Sequence, residues 1–218
     1  MTPPSVVFSV STEGRSVAEA AIADEDEAET LLAAARRAGS DLAWAHSAAD
    51  LSQLGFTRQW GYRRLEGRAR LSGDGASGRI RPADLGHEVV SLAAEQESPE
   101  LWAEAFRGQW GHKTAQQWPL DLPPGTATLG LRRAGRTIGV CRIGPGSLID
   151  APGLVPAHRD AAGYQALLEA ALAAVQTPSV VVESWGDSPE RVTLCERLGL
   201  VTAEYVPGWQ FSLRDVDR

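Results

Sequence analysis

Short apolar runs alternate with amphipathic stretches along this chain, which predicts strands interleaved with helices. Val6 to Val10 is a β-branched run. In DEDEAETLLAAARRAG (24–39) the acids come first, an apolar middle follows, and two arginines precede Gly39. That is the order of a helix whose charges suit its dipole and whose glycine stops it. LAWAH (42–46) predicts a strand, ADLSQLGF (49–56) a short helix ending at Gly55, and Thr57 to Leu65 a returning strand. The N-terminal third therefore reads strand, helix, strand, helix, strand.

GRARLSGDGASG (67–78) has four glycines and no strong periodicity, and reads as a linker. Beyond it, RIRPADLGHEVVSLAAE (79–95) predicts a strand, a turn at Pro82-Ala83-Asp84, and a helix. SPELWAEAFRGQW (98–110) predicts a helix with Ser98 as N-cap and Pro99 in its first turn. Thr126 to Arg132 and Thr137 to Ile143 predict a hairpin joined by RAGR, and Leu148 to Leu154 a further strand despite Pro152 and Gly153. AAGYQALLEAALAAVQ (161–176) predicts a helix and SVVVESW (179–185) a buried strand. SPERVTLCERLG (188–199) predicts a capped helix, and the tail to Leu213 is mostly strand.

The two ends share a pattern. LSQLGFTRQWGYRRL (51–65) and LCERLGLVTAEYVPGWQFSL (194–213) both read as helix, Leu-Gly-apolar stop, strand, aromatic turn, strand. Each follows an Ala/Leu helix and a strand bearing tryptophan, Trp44 or Trp185. Residues 1–66 thus read as an abbreviated repeat of 145–213. The expected organisation is a truncated unit over 1–66, a linker over 67–78 and the main domain over 79–218.

Composition narrows the function classes. Of 218 residues 43% are hydrophobic and 22% charged, ordinary for a globular chain. A net charge of −7 weighs against a general nucleic-acid or anionic-membrane binder. Apolar runs fall short of the roughly 20 residues of a membrane helix, and MTPPSVVFSV lacks a charged leader region, so a cytoplasmic protein is expected. Cys141 and Cys195 make no disulfide framework, and the four histidines are scattered, so no metal site is expected.

VPAHRDAAGYQALL (155–168) resembles the signature V-x-P-x-x-R-G-x-G-x-G/A of the GCN5-related N-acetyltransferase superfamily, with the proline one place early, Arg159 retained and the helix in register. ESWGDSPERVTLCERLGL (183–200) is similar to the family's next signature, with Ser188 for asparagine, Cys195 for tyrosine and Leu200 for phenylalanine. The resemblance implies an α/β (α+β mixed) fold, a central twisted sheet flanked by helices, preceded here by the half-length repeat. It implies acetyl-CoA as cosubstrate and an amine acceptor, either a small molecule or a protein amino group. The pyrophosphate would meet backbone N–H groups at a helix start, through Leu154, Val155, Arg159, Asp160, Ala161, Ala162, Gly163 and Tyr164. Ala162 and Tyr164 replace glycines there, and Asp160 is a like charge for phosphate. The alternative is a plain helix start packed on a sheet, with Arg159 solvated. In the N-terminal unit the corresponding helix opens with four carboxylates, Asp24 to Glu27, which suits an architectural role.

Glu183 is the only acid in an apolar strand, either a base or substrate contact, or half of a structural ion pair or exposed at the strand end. Asp150 is a second candidate for substrate contact. Cys195 stands where the family's acid stands, and is otherwise a small core residue; Tyr205 is a possible substitute. His112 could line an acceptor pocket with Trp110 and Trp118, or be an exposed loop residue. The expected function is an acetyl-CoA-dependent N-acetyltransferase. The alternative is a non-catalytic protein that kept the fold for binding or dimerisation, pairing an exposed N-terminal sheet edge with a second copy.

Overall fold

The computed structural model describes residues 4–11, 14–68, 86–93, 96–107, 123–185 and 188–214. Its elements run β1 (Val7–Val10), β2 (Ser16–Ala21), α1 (Glu25–Arg37), β3 (Leu42–His46), β4 (Thr57–Arg68) and β5 (His87–Leu92). Then come α2 (Pro99–Phe106), β6 (Ala127–Arg133), β7 (Arg136–Ile143), β8 (Leu148–Leu154), α3 (Ala161–Ala174), β9 (Ser179–Trp185), α4 (Pro189–Arg197) and β10 (Val201–Ser212). The strands form one ten-stranded sheet in the order β1-β2-β3-β10-β4-β9-β8-β7-β6-β5. Only β2/β3 and β8/β9 are parallel, and α1 and α3 make those two crossovers.

Local chemistry sets the helix ends. Asp24 accepts the Glu27 N–H at 3.0 Å to start α1, and Ser98 accepts the Leu101 N–H at 3.1 Å to start α2. Gly39, with φ of 66°, closes α1 in the left-handed region. No helix among the described residues is long and apolar enough to cross a membrane.

Register puts the helices on two faces. Leu65, Val182 and Ile149 are successive partners across β4, β9 and β8, and they pack with Leu167 and Leu168 of α3 and Leu194 of α4. On the same face Ala43, Ala45 and Trp209 pack with Leu31 and Leu32 of α1. The opposite face carries α2, whose Trp102 and Phe106 cluster with Val140 and Leu92. The last strand, β10, lies between β3 and β4, and β4 lies between β10 and β9, so the two ends of the chain interleave in one sheet.

Two expectations are corrected, and one strand was missed. HEVVSL forms strand β5 on β6 rather than a helix, because Val89 and Val90 pack on opposite faces of the sheet. β2 was not legible in SVAEAA; its parallel pairing with β3 makes the strand. β4 and β10 are continuous 12-residue strands, and bulges replace the expected aromatic turns. The expected strand and turn at 79–84, most of the linker, and His112, Trp110 and Trp118 lie outside the described residues.

Candidate active site

Between β8 and β9 the ladder holds through Leu148↔Val181, Ile149↔Val182 and Asp150↔Glu183, and there it stops. Both strands continue. β8 pairs with β7 as far as Leu154, and β9 pairs with β4 as far as Trp185. Each keeps its outer neighbour and loses the inner one, so the sheet opens between two parallel strands. A register shift between the Val140 and Arg142 pairs bulges β8 at this point, where Pro152 has no N–H to offer a neighbour.

A row of charge crosses the α2 face at the apex of the opening. Arg142, Asp150, Glu183 and Arg64 are successive register partners on β7, β8, β9 and β4. Arg142 is 5% exposed; it contacts Glu97 at 3.3 Å and lies 3.9 Å above the Trp102 ring. Glu183 accepts the Tyr62 hydroxyl at 2.8 Å. Burial, and then the hydrogen bond to that carboxylate, push the Tyr62 phenol up to about 12, so it stays protonated at neutral pH.

The start of α3 is already occupied by the chain itself. The Asp160 carboxylate accepts the Gly163 N–H at 2.6 Å. Arg159 donates Nε to the Leu154 carbonyl at 2.9 Å and Nη2 to the Ala105 carbonyl at 3.5 Å and the Arg107 carbonyl. It thereby ties the end of α2 to the end of β8. Burial, and then the nearby Arg191, pull its pKa below the ordinary arginine value. A cavity of about 720 Å³ adjoins this point, lined by Glu104, Arg107, Arg136, Thr137 and Val155 and by Ser11 and Gly14 of the β1–β2 turn. Side chains of both charge signs, Glu104 with Arg107 and Arg136, stand around it.

No family model matches the sequence, nor does any curated protein. Solved structures do match. A GCN5-related N-acetyltransferase from Sphaerobacter thermophilus superposes with a TM-score of 0.57 at 13% identity, over 89% of this chain and 73% of that one. The chain has the GCN5-related N-acetyltransferase fold. An N-acetyltransferase-like protein of that name from Streptococcus suis gives 0.53 at 11% identity, over 96% and 84%. A conserved protein of unknown function from Enterococcus faecalis V583 gives 0.56 at 10% identity over 96% of this chain. This chain spans 57% of that protein's length.

Within this fold the expected site residues fall into two groups. Glu183, Asp150 and the end of β8 meet at the opening, and Val155 lines the adjoining cavity. Tyr164 is 2% exposed, with its ring in the core and the Arg191 guanidinium 4.7 Å above it, rather than over the start of α3. Leu154 is likewise core, while Ala161 is exposed and Ala162 half-buried. Gly163 serves packing: a Cβ there would lie 3.0 Å from Leu131. Cys195 is 1% exposed in the core under α3 and α4, whereas Glu183 faces the α2 side, so the sheet separates the two. Tyr205 pairs with Arg63 on the face away from Glu183. Tyr62 was not anticipated, because it lies 121 residues before Glu183 and outside both motifs. The described residues hold no cluster of metal-ligating side chains.

Proposed function

We propose that the protein is an acyltransferase that moves an acetyl group from a thioester to an amine at the β8–β9 opening. The ladder that ends at Asp150↔Glu183 while both strands run on carries the reading. Acetyl-CoA would supply an acyl group activated as a thioester. The Ala151–Leu154 edge of β8 can take an extended arm as a sheet edge takes a strand. Glu183, at the last paired position, is the base. The amine nitrogen bonds to the carbonyl carbon, the C–S bond breaks with its electron pair leaving on sulfur, and the amine's proton goes to Glu183. The acceptor is a small-molecule amine or a protein amino group, and the site of action the cytoplasm.

The pyrophosphate end fits less well, because Asp160 sets a carboxylate on the amide an anion would use. That contact favours the second reading, a non-catalytic protein that kept the fold for binding or dimerisation. We read residues 1–66 as a truncated repeat with an architectural role. The order strand, α1, strand, short turn, strand matches strand, α3, strand, α4, strand. Offsetting β10 on β4 by the Gly199/Gly55 spacing sets His46, the partner of Gly208, where Glu183 partners Arg64. The Ile22 N–H donates to the His46 carbonyl at 3.0 Å, one hydrogen bond past the Ala21↔His46 pair at which β2 and β3 both end. Calorimetry with acetyl-CoA and thiol release with a panel of amines test the proposal. Saturable micromolar binding with thiol release supports it; no binding at millimolar ligand overturns it.

A further inference from the structure

We infer that Tyr62 is a positioning residue for Glu183, so that the acyltransferase site proposed above is incomplete without the N-terminal segment that supplies it. The inference rests on that reading of Glu183. Tyr62 belongs to β4, which pairs with β10 on one side and β9 on the other. Register sets Arg64 opposite Glu183 and Tyr62 opposite Trp185, one step along the same face. From this diagonal place the phenol reaches Glu183 Oε1 at 2.8 Å.

A continuous strand holds the tyrosine there, not a loop. At Gly61 the β4 backbone comes so close to β10 that a Cβ would lie 1.9 Å from the Val206 carbonyl oxygen. The next residue, Tyr62, is paired on both edges of β4, to Val206 of β10 and Trp185 of β9, which fixes its height against β9. Among the described residues, the charged and titratable groups beside Glu183 in the sheet are Asp150 from β8 and Tyr62 and Arg64 from β4, with Arg142 beyond Asp150 and Glu204 beyond Arg64. Among the immediate neighbours Tyr62 is the uncharged donor. Its hydrogen bond holds one oxygen and one rotamer of the carboxylate, and the second oxygen takes the amine's proton. Pushed up to about 12, the Tyr62 phenol is a weaker acid than an ordinary tyrosine and keeps the proton that this hydrogen bond needs at neutral pH.

Tyr62→Phe keeps the ring and removes only the donor. The expected result is unchanged far-UV circular dichroism, a KM for acetyl-CoA within about twofold of wild type, and a kcat lower by about 10- to 100-fold, the range of a hydrogen bond to a charged group. With Glu183→Gln as background, the same change should cost less than about twofold, because the two residues act as a unit. A readout independent of turnover is the ¹³C signal of Tyr62 Cζ, assigned by its loss in Tyr62→Phe. It should stay at the phenol position to about pH 11, and Glu183→Gln should let it ionise at lower pH. Wild-type kcat in Tyr62→Phe, or a Tyr62 signal indifferent to Glu183→Gln, overturns the inference and leaves the acyltransferase reading standing. A wild-type protein that transfers no acetyl group to any amine overturns that reading and this one with it, even if the two side chains prove to be coupled.

Discussion

Asp160 and Gly163 form a closed cap: the carboxylate of one accepts the N–H of the other at 2.6 Å. The dipole of α3 is thus spent on a side chain of the chain itself, where a phosphate would otherwise sit. Asp160→Ser keeps a capping oxygen and removes the charge. Acetyl-CoA affinity measured by calorimetry should rise by about 3- to 10-fold, with thermal stability nearly unchanged. Asp160→Ala should cost about 1 kcal/mol of stability by chemical denaturation, since the cap is then lost outright.

Arg159 is a structural tie. Its donors reach carbonyls at the end of α2 and at Leu154. Arg159→Ala should destabilise the protein by about 1.5–3 kcal/mol in urea unfolding, because charge-assisted bonds to part-buried carbonyls are lost. Arg159→Lys should recover less than half of that, since one ammonium cannot span the carbonyls a guanidinium fork reaches.

At Gly61 a Cβ would lie 1.9 Å from the Val206 carbonyl oxygen, across the seam between β4 and β10. Gly61→Ala forces the β4 and β10 backbones apart inside the bulge between the Tyr62 and Gln59 pairs, and should cost more than about 3 kcal/mol or abolish soluble expression. Gly135, in the β6–β7 turn, has φ of 77° but open space around it. Gly135→Ala should cost only about 1 kcal/mol, from backbone strain. Thermal midpoints of the two variants, measured side by side, check the ranking.

Glu183 and Cys195 lie on opposite sides of the sheet, which separates their effects. Glu183→Gln should cut turnover by about 10²–10⁴-fold with acetyl-CoA affinity nearly unchanged. Cys195→Ser puts a hydroxyl into the core and should cost about 1–3 kcal/mol of stability, with less than about tenfold in turnover. Steady-state kinetics with one responsive amine, alongside chemical denaturation, distinguishes the two. The reverse ranking would make the thiol the catalytic group.

Tyr164 shows how far a motif can be read without a fold. It replaces a glycine of the signature, and in the motif alone its ring would stand beside the start of the helix. The ring instead turns into the core, so Tyr164→Gly would empty a packed site rather than clear a ligand path. Side-chain direction at the first turn of a helix depends on which face meets the sheet, and spacing within one motif does not carry that.

What the chain determined by itself is local. Acids at the head of α1, Ser98 before α2, the β6–β7 hairpin and the Ala/Leu run of α3 each specify an element through caps, turns and periodicity within a few residues, and each element is present. Glu183 stood out for the same reason, as an acid in an apolar strand. Tertiary structure alone decided the partners. SVAEAA and HEVVSL become strands because β3 and β6 offer them edges, and β10 crosses back to lie between β3 and β4. Tyr62 meets Glu183 across 121 residues only because β4 occupies the place beside β9. Strand pairing buries backbone and side chains against whichever edge the whole sheet leaves available, and that choice is a property of the assembled sheet rather than of any stretch of sequence.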